Sequence, residues 1–347
     1  MRAAVLGAGN SGMAMAAHLA ACGEDVALWN RTRANIEHIA EMHAINCGGI
    51  VEGEVRIGLV TDSLGEAVDG ADMVFVTVPA TAHVELARQL ASVLGNAVPV
   101  LLNPGRTFGA LRFADAMVLA GCPYKPLVAE AQTIVYTCRK RDDISVDVFA
   151  LKRSVALACI DAEGTKVVLE ALPDCLRGRF RAAASTLETS LGNVGPILHC
   201  APFLLNAGWT ESERSSYEYY YDGITPTIGG FLERLDEERI EVARALGVEV
   251  PSTMQWMLEE YQTHGETLFE CVRNNASYRG IDAPRSLRHR YLYEDVPYGL
   301  VQFEAVGRQL GMDMENTRII IDLACALMQE DFRSVQTFGI DRLKDIV

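Results

Sequence analysis

Three glycines carry the first chemical information in this chain. Gly7, Gly9 and Gly12 stand in Gly7-Ala8-Gly9-Asn10-Ser11-Gly12, after the apolar run Ala3 to Leu6 and before an alanine-rich stretch. This spacing, between a strand and a helix, suits a backbone that wraps a pyrophosphate. The first glycine permits the tight turn, the second lets the backbone approach the phosphates, and the third lets helix and strand pack closely. Asn10 and Ser11 open the helix, whose free N–H groups and positive dipole end favour an anion. A second strand, Asp25 to Trp29, ends at Asn30-Arg31-Thr32. An NAD site usually places an acid there to accept from the ribose 2′-OH. An amide followed by a guanidinium suits a 2′-phosphate better. The expected ligand is therefore NADP(H), with NAD(H) left open. The expected contacts are Gly7, Gly9, Asn10, Ser11, Gly12, Asn30 and Arg31, with Pro79 and Asn103 at later strand ends beside the nicotinamide.

A nicotinamide enzyme also needs a group that moves a proton beside the carbon receiving hydride, and histidine suits this near neutral pH. The chain has seven histidines. His18 falls in the first helix, His38 and His43 in a surface run, His264 at a helix end and His289 between two arginines. His83 follows Pro79 and is a second candidate. His199 stands out, in Gly192-Asn193-Val194-Gly195-Pro196-Ile197-Leu198-His199-Cys200-Ala201-Pro202. Asn193 can cap and Pro196 can start a helix, which would place His199 in its first turn among apolar neighbours. On pattern alone such a histidine is more often a satisfied core residue than a catalyst.

The elements that must position these residues alternate through the first half. After the second strand come a helical run over Arg33 to Met42, short strands near Ile50 and over Val55 to Val60, and a helix from Ser63. A strand over Met73 to Val78, a helix over Val84 to Leu94 and a strand over Val98 to Leu102 follow, then single strands over Leu127 to Thr137 and Val146 to Ala158. Alternation of this kind predicts an α/β fold, a Rossmann doubly wound parallel sheet with ligands at the carboxyl ends of its strands. The second half reads as mainly α-helical, with helices over Phe231 to Leu246, from Ser252 or Thr253 to His264, and over Glu315 to Met328. The expected domains are 1–182 and 183–347.

Composition sets outer bounds. The chain has 347 residues, room for two domains with full cores. Its net charge of −15 argues against nucleic acid or an anionic membrane as a partner. No apolar run has the length of a membrane span, and the chain enters its first strand without a leader-like segment. The nine cysteines include no C-x-x-C pair, which suits a reduced, cytoplasmic protein with small buried thiols and gives no spacing for a metal site. Cys138 reads as a packing residue. A homodimer is left open.

The His199 segment, the Arg290-Tyr291-Leu292-Tyr293-Glu294-Asp295-Val296-Pro297-Tyr298-Gly299-Leu300 segment, the amino-terminal glycines and Glu130-Ala131-Gln132-Thr133 together resemble the opine dehydrogenase family (octopine and nopaline dehydrogenases). The likeness runs through nearly the whole chain. The glycine motif is shared with many families, whereas G-N-x-x-P-x-x-H and R-Y-x-x-E-D-x-P-x-G-L are far more specific. The resemblance implies a Rossmann domain followed by a helical substrate domain. It also implies an NAD(P)H-dependent oxidoreductase that condenses an α-keto acid with the amine of an amino acid, through an imine. It places His199 and Asp295 as the catalytic pair, Arg290 on the keto-acid carboxylate, and Glu130 and Asn193 among the substrate-binding residues. The stretch after Glu130 departs from the family's pattern and leaves the amino acid open.

Two rival readings differ in class. A simple keto or hydroxy acid reductase of the ketopantoate reductase or glycerol-3-phosphate dehydrogenase type shares the two-domain plan but usually relies on a lysine in its helical domain. No lysine occurs here between Lys166 and Lys344. A non-catalytic NADP-binding regulator would not need His199, Arg290 and Asp295 together.

Overall fold

In the computed structural model, which describes residues 1–346, the chain forms two compact units, the first over Met1–Ser190 and the second beginning at Leu191. The division falls eight residues beyond the expected 182/183 boundary, after one further helical segment.

Twelve strands belong to the first unit: β1 (Arg2–Leu6), β2 (Asp25–Trp29), β3 (Ala44–Gly49), β4 (Gly53–Arg56), β5 (Leu59–Thr61), β6 (Met73–Val76), β7 (Val100–Leu102), β8 (Val128–Ala131), β9 (Tyr136–Lys140), β10 (Ser145–Leu151), β11 (Val155–Cys159) and β12 (Phe180–Ala182). Eight form one sheet in the order β12-β11-β8-β7-β6-β1-β2-β5. All its neighbours are parallel except β8 and β11. Parallel strands covered on both faces are apolar on both, hence the unbroken burial of Ala3 to Leu6 and of Met73 to Val76. The direction of winding reverses between β1 and β6, which places the expected ligand crevice at their carboxyl ends.

A second sheet, β4-β3-β10-β9, was not anticipated. The expected strand over Leu127 to Thr137 is two strands in different sheets, β8 and β9, and Val146 to Ala158 divides likewise into β10 and β11. An apolar run cannot by itself reveal where a chain leaves one sheet for another. The second sheet explains the first helix, Asn10–Ala21. Its residues Ser11 to Leu19 are all buried, because it touches β1 and β2 on one side and β4, β9 and β10 on the other. A helix covered all round needs no polar face, and its many alanines let both sheets approach.

The second unit is helical. Pro226–Ala245 starts five residues before the expected Phe231, because Thr225 Oγ1 accepts from Ile228 N–H and Pro226 fills the first turn. Ser252 caps Thr253–Tyr261 through a reciprocal capping box with Gln255. That helix stops before His264, where Gln262 turns left-handed (φ 52°). Glu315–Met328 matches its expected span.

Candidate active site

The glycine turn sits at the carboxyl end of β1. Gly7 has φ +119°, and a Cβ there would lie 2.8 Å from Thr77 Oγ1. A Cβ on Gly12 would lie 1.8 Å from Gly7 O. These two glycines are demanded by the turn and by helix packing. Gly9 differs: a Cβ there would meet nothing within 4 Å. The protein does not need Gly9 for its own packing, so the open space beside its backbone fits a ligand that approaches closely. No side chain caps the helix that follows, which leaves its first N–H groups for an anion.

Asn30 Oδ1 accepts from Ala8 N–H at 3.4 Å, and its Nδ2 donates to Thr32 O at 2.9 Å. The amide therefore braces the glycine turn. Arg31, Thr32, Asn35, Val78, Pro79 and Glu85 line a cavity of about 170 Å³ beside it. Pro79 shares this cavity with Arg31, at the end of β2 where the ribose residue is expected. Asn10 Oδ1 accepts from Lys140 N–H of β9 at 3.1 Å, which ties the start of the first helix to the second sheet. Ser11 is buried in the first helical turn. Asn103 is fully buried at the end of β7. Its Oδ1 accepts from Val135 N–H at 3.2 Å, while its Nδ2 has no partner within the protein. A buried amide with an unused donor fits a ligand carbonyl or oxygen there.

Two expected residues of the first unit are packed inward. His83 is buried, with Nε2 3.2 Å from Val78 O and its ring edge-on to Phe113. Glu130, also fully buried, accepts from Ala110 N–H (2.7 Å), Thr189 Oγ1 (2.7 Å) and Ser190 Oγ (2.5 Å). Burial raises its carboxyl above the ordinary range, and these hydrogen bonds and nearby Arg112 only partly offset that. Its contacts make it a staple that ties the Gly109–Leu119 helix and the end of the unit to β8. Burial pushes the Cys138 thiol up to about 12, as suits a packing residue.

In the second unit the two specific motifs come together. Asn193 Oδ1 accepts from Gly195 N–H at 3.2 Å, and Pro196 occupies the first turn of the helix Gly195–Leu205. His199 is its fifth residue, one turn further in than expected. Asp295 immediately precedes a π-helical turn, Val296–Leu300. A Cβ on Gly299 would lie 2.2 Å from Pro196 Cγ, so the proline of one motif and the glycine of the other are matched surfaces. That close approach sets His199 Nδ1 2.8 Å from Asp295 Oδ2, with Asp295 fully buried and His199 15% exposed. An ionised Asp295 accepts from Nδ1–H and so favours the tautomer whose lone pair is on Nε2.

Tyrosines complete the surroundings. Tyr291 stacks on the His199 ring, with centroids 4.1 Å apart. The Tyr220 hydroxyl is 3.3 Å from Nε2, and the Tyr219 hydroxyl donates to His199 O at 2.6 Å. Burial raises both phenols well above their ordinary value, so they remain protonated donors. Arg290 is half-exposed, 3.6 Å from Glu294 and 5.8 Å from the Tyr291 ring centroid. Burial, then Arg290 and His199, push His289 down to about 4, which makes it neutral near pH 7. Sequence reasoning passed over Tyr219 and Tyr220, and gave Tyr291 no role beyond its place in the second motif. The signal for the first two was the tyrosine-rich run Tyr217-Glu218-Tyr219-Tyr220-Tyr221.

Comparison with known proteins fits both units. The family model described as NAD/NADP octopine/nopaline dehydrogenase, alpha-helical domain, matches residues 182–328, and the N-terminus of NAD-dependent glycerol-3-phosphate dehydrogenase matches 2–105. An opine dehydrogenase of Arthrobacter sp. (strain 1C) is 37% identical over 95% of this chain and 91% of its own. This chain belongs to the opine dehydrogenase family. Protein ocs of Agrobacterium tumefaciens (strain Ach5) is 26% identical over 95% of this chain and 92% of its own. Two solved structures share the fold. An octopine dehydrogenase in complex with NADH and agmatine has TM-score 0.74 at 21% identity, over 95% of this chain and 90% of its own. An NADP+-bound yersinopine dehydrogenase has TM-score 0.76 at 16%, over 99% and 97%. As an opine dehydrogenase, the protein is an NAD(P)-dependent oxidoreductase acting on CH–NH bonds, and it condenses an α-keto acid with the amine of an amino acid. Among the described residues no helix is long and apolar enough to cross a membrane.

Proposed function

We propose that His199 and Asp295 are the acid–base pair of this opine dehydrogenase, that Arg290 and Asn193 hold the substrates, and that NADPH is the preferred reductant. The 2.8 Å contact between His199 and Asp295 carries this reading. It joins residues 96 apart in sequence, the histidine partly exposed and the acid fully buried. The reduced nicotinamide supplies the hydride that ends on the imine carbon.

The residues of the chain do the rest. The amine attacks the keto carbon, and His199 Nε2 donates a proton to the oxygen that leaves as water. Asp295 fixes the imidazole's tautomer and stabilises imidazolium, as the acid does in serine-enzyme triads. Arg290 suits a planar keto-acid carboxylate because its fork can bind both oxygens. Glu294, 3.6 Å away, holds that guanidinium until the substrate carboxylate competes for it. The buried Nδ2 of Asn193 has no partner within the protein, and a substrate oxygen would satisfy it. We read the dinucleotide domain as 1–182 and the helical substrate domain as 183–347, which assigns the segment 183–190, compact with the first unit, to the substrate domain.

Cofactor preference rests on Arg31. With Asn30 committed to the glycine turn, Arg31 is the cation lining the ribose-side cavity. Arg31→Ala is expected to raise the Kd of NADPH more than that of NADH. Equal losses in the two titrations would remove the 2′-phosphate assignment.

The deciding assay follows NADPH oxidation with pyruvate or 2-oxoglutarate, with and without a pool of amino acids. Oxidation that requires both partners is expected. Oxidation with keto acid alone would instead make the protein a simple reductase.

A further inference from the structure

One cluster of donor atoms in the first unit plays no part in this chemistry. His18 and Cys22 are four residues apart at the end of the Asn10–Ala21 helix, so they share one face. Cys175 comes from the short helix Asp174–Arg177. One imidazole nitrogen of His18 and the sulfurs of Cys22 and Cys175 all lie within 4.8 Å of one another.

We propose that His18, Cys22 and Cys175 form a binding site for a single thiophilic metal ion, with zinc(II) as the expected occupant. Two sulfurs and an imidazole nitrogen are the donor set that borderline-soft cations select over hard ones. Three protein ligands leave a fourth position for water. The surroundings support ligation in three ways. Tyr136, a buried residue, sets its hydroxyl 3.1 Å from His18 Nδ1; with that hydroxyl accepting from Nδ1–H, the ring is held in place and Nε2 is the nitrogen that binds the ion. Cys175 packs against the apolar core on its inner side, which limits its movement. Cys22 is exposed and gives the ion a path from solvent.

Binding releases the two thiol protons and joins the carboxyl end of the first helix to the Asp174–Arg177 segment. The glycine turn lies at the opposite end of that helix, whose 12 residues span about 18 Å, so the ion would reach neither phosphates nor hydride. The proposal departs from the sequence reading, which found no metal spacing. H-x-x-x-C is a weak pattern by itself, and only the fold brings in Cys175, more than 150 residues later.

The test uses the full-length protein under a phosphine reductant. Titration with cobalt(II) is expected to give a near-ultraviolet thiolate-to-cobalt charge-transfer band that saturates at one equivalent and is displaced by zinc(II). Cys22→Ser and Cys175→Ser are each expected to abolish the band, and His18→Gln to weaken zinc binding at least tenfold, with NADPH affinity unchanged. Absence of the band in the unmodified protein would overturn the proposal, as would its persistence in the Cys22→Ser/Cys175→Ser double variant. A cluster that only forms a disulfide would show no band in the reduced protein.

Discussion

His199 illustrates how little a single side chain means without its partners. Imidazole on an apolar helix is equally a packing group and an acid, and the difference lies in what holds each nitrogen. Asp295 holds Nδ1, and the Tyr220 hydroxyl touches Nε2. His199→Ala is expected to lower kcat by roughly 10²–10⁴-fold while the Kd of NADPH stays as it was. Stopped-flow turnover and cofactor fluorescence titration check the two halves separately, and full turnover in the variant would remove His199 from catalysis. Tyr220→Phe deletes one hydrogen bond, worth about 0.5–1.5 kcal/mol, so kcat is expected to fall by up to about tenfold with a displaced pH profile. An unchanged rate and profile would leave Tyr220 a packing residue.

At the scale of elements, the glycine turn separates what the fold requires from what a ligand requires. Gly12→Ala forces a Cβ to within 1.8 Å of Gly7 O, and it is expected to lower the melting temperature and abolish dinucleotide binding together. Gly9→Ala meets nothing within the protein. It is expected to leave the melting temperature within a degree or two, roughly the range of a neutral surface change, while weakening NADPH. A Gly9→Ala protein that binds NADPH normally would contradict the close approach inferred there. The Pro196–Gly299 contact has a similar logic in the second unit. The ring of Pro196 fits against the bare backbone of Gly299, and this close approach of the two motifs brings His199 to Asp295.

At the scale of the whole molecule, Glu130 links local chemistry to stability. Its carboxyl is raised in the folded state, so the native protein holds a proton that the unfolded chain has released. Stability therefore falls as pH rises from the unfolded value near 4.5 through the folded one, and it is greatest below that window. Glu130→Gln keeps an acceptor for Ala110 N–H and an amide for the rotatable hydroxyls of Thr189 and Ser190. The variant is expected to lose this part of the pH dependence and to be at least as stable at neutral pH. Thermal melts from pH 4 to 8 check it. Amine KM should not move; a rise would return Glu130 to the substrate contacts that its family motif suggested.

The sequence by itself determined the first βαβ unit, the two-part plan, the family and the residues of both specific motifs. These are local or strongly patterned facts: glycines at fixed offsets, apolar periodicity, and caps such as Ser252 with Gln255. Tertiary structure alone decided the second sheet, since apolar runs over Leu127 to Thr137 and Val146 to Ala158 do not mark where the chain changes sheets. It decided that Glu130 and His83 face inward, that Asn30 braces the turn and Asn10 Oδ1 meets β9, and that Pro79 lines a cavity with Arg31. It also brought Tyr220 to His199 and Cys175 to His18 and Cys22. The physical reason is common to all of these. Residue type fixes which bonds a side chain can make, but a hydrogen bond or a ligand set needs atoms within about 3–4 Å, and only the closed fold brings distant segments that near.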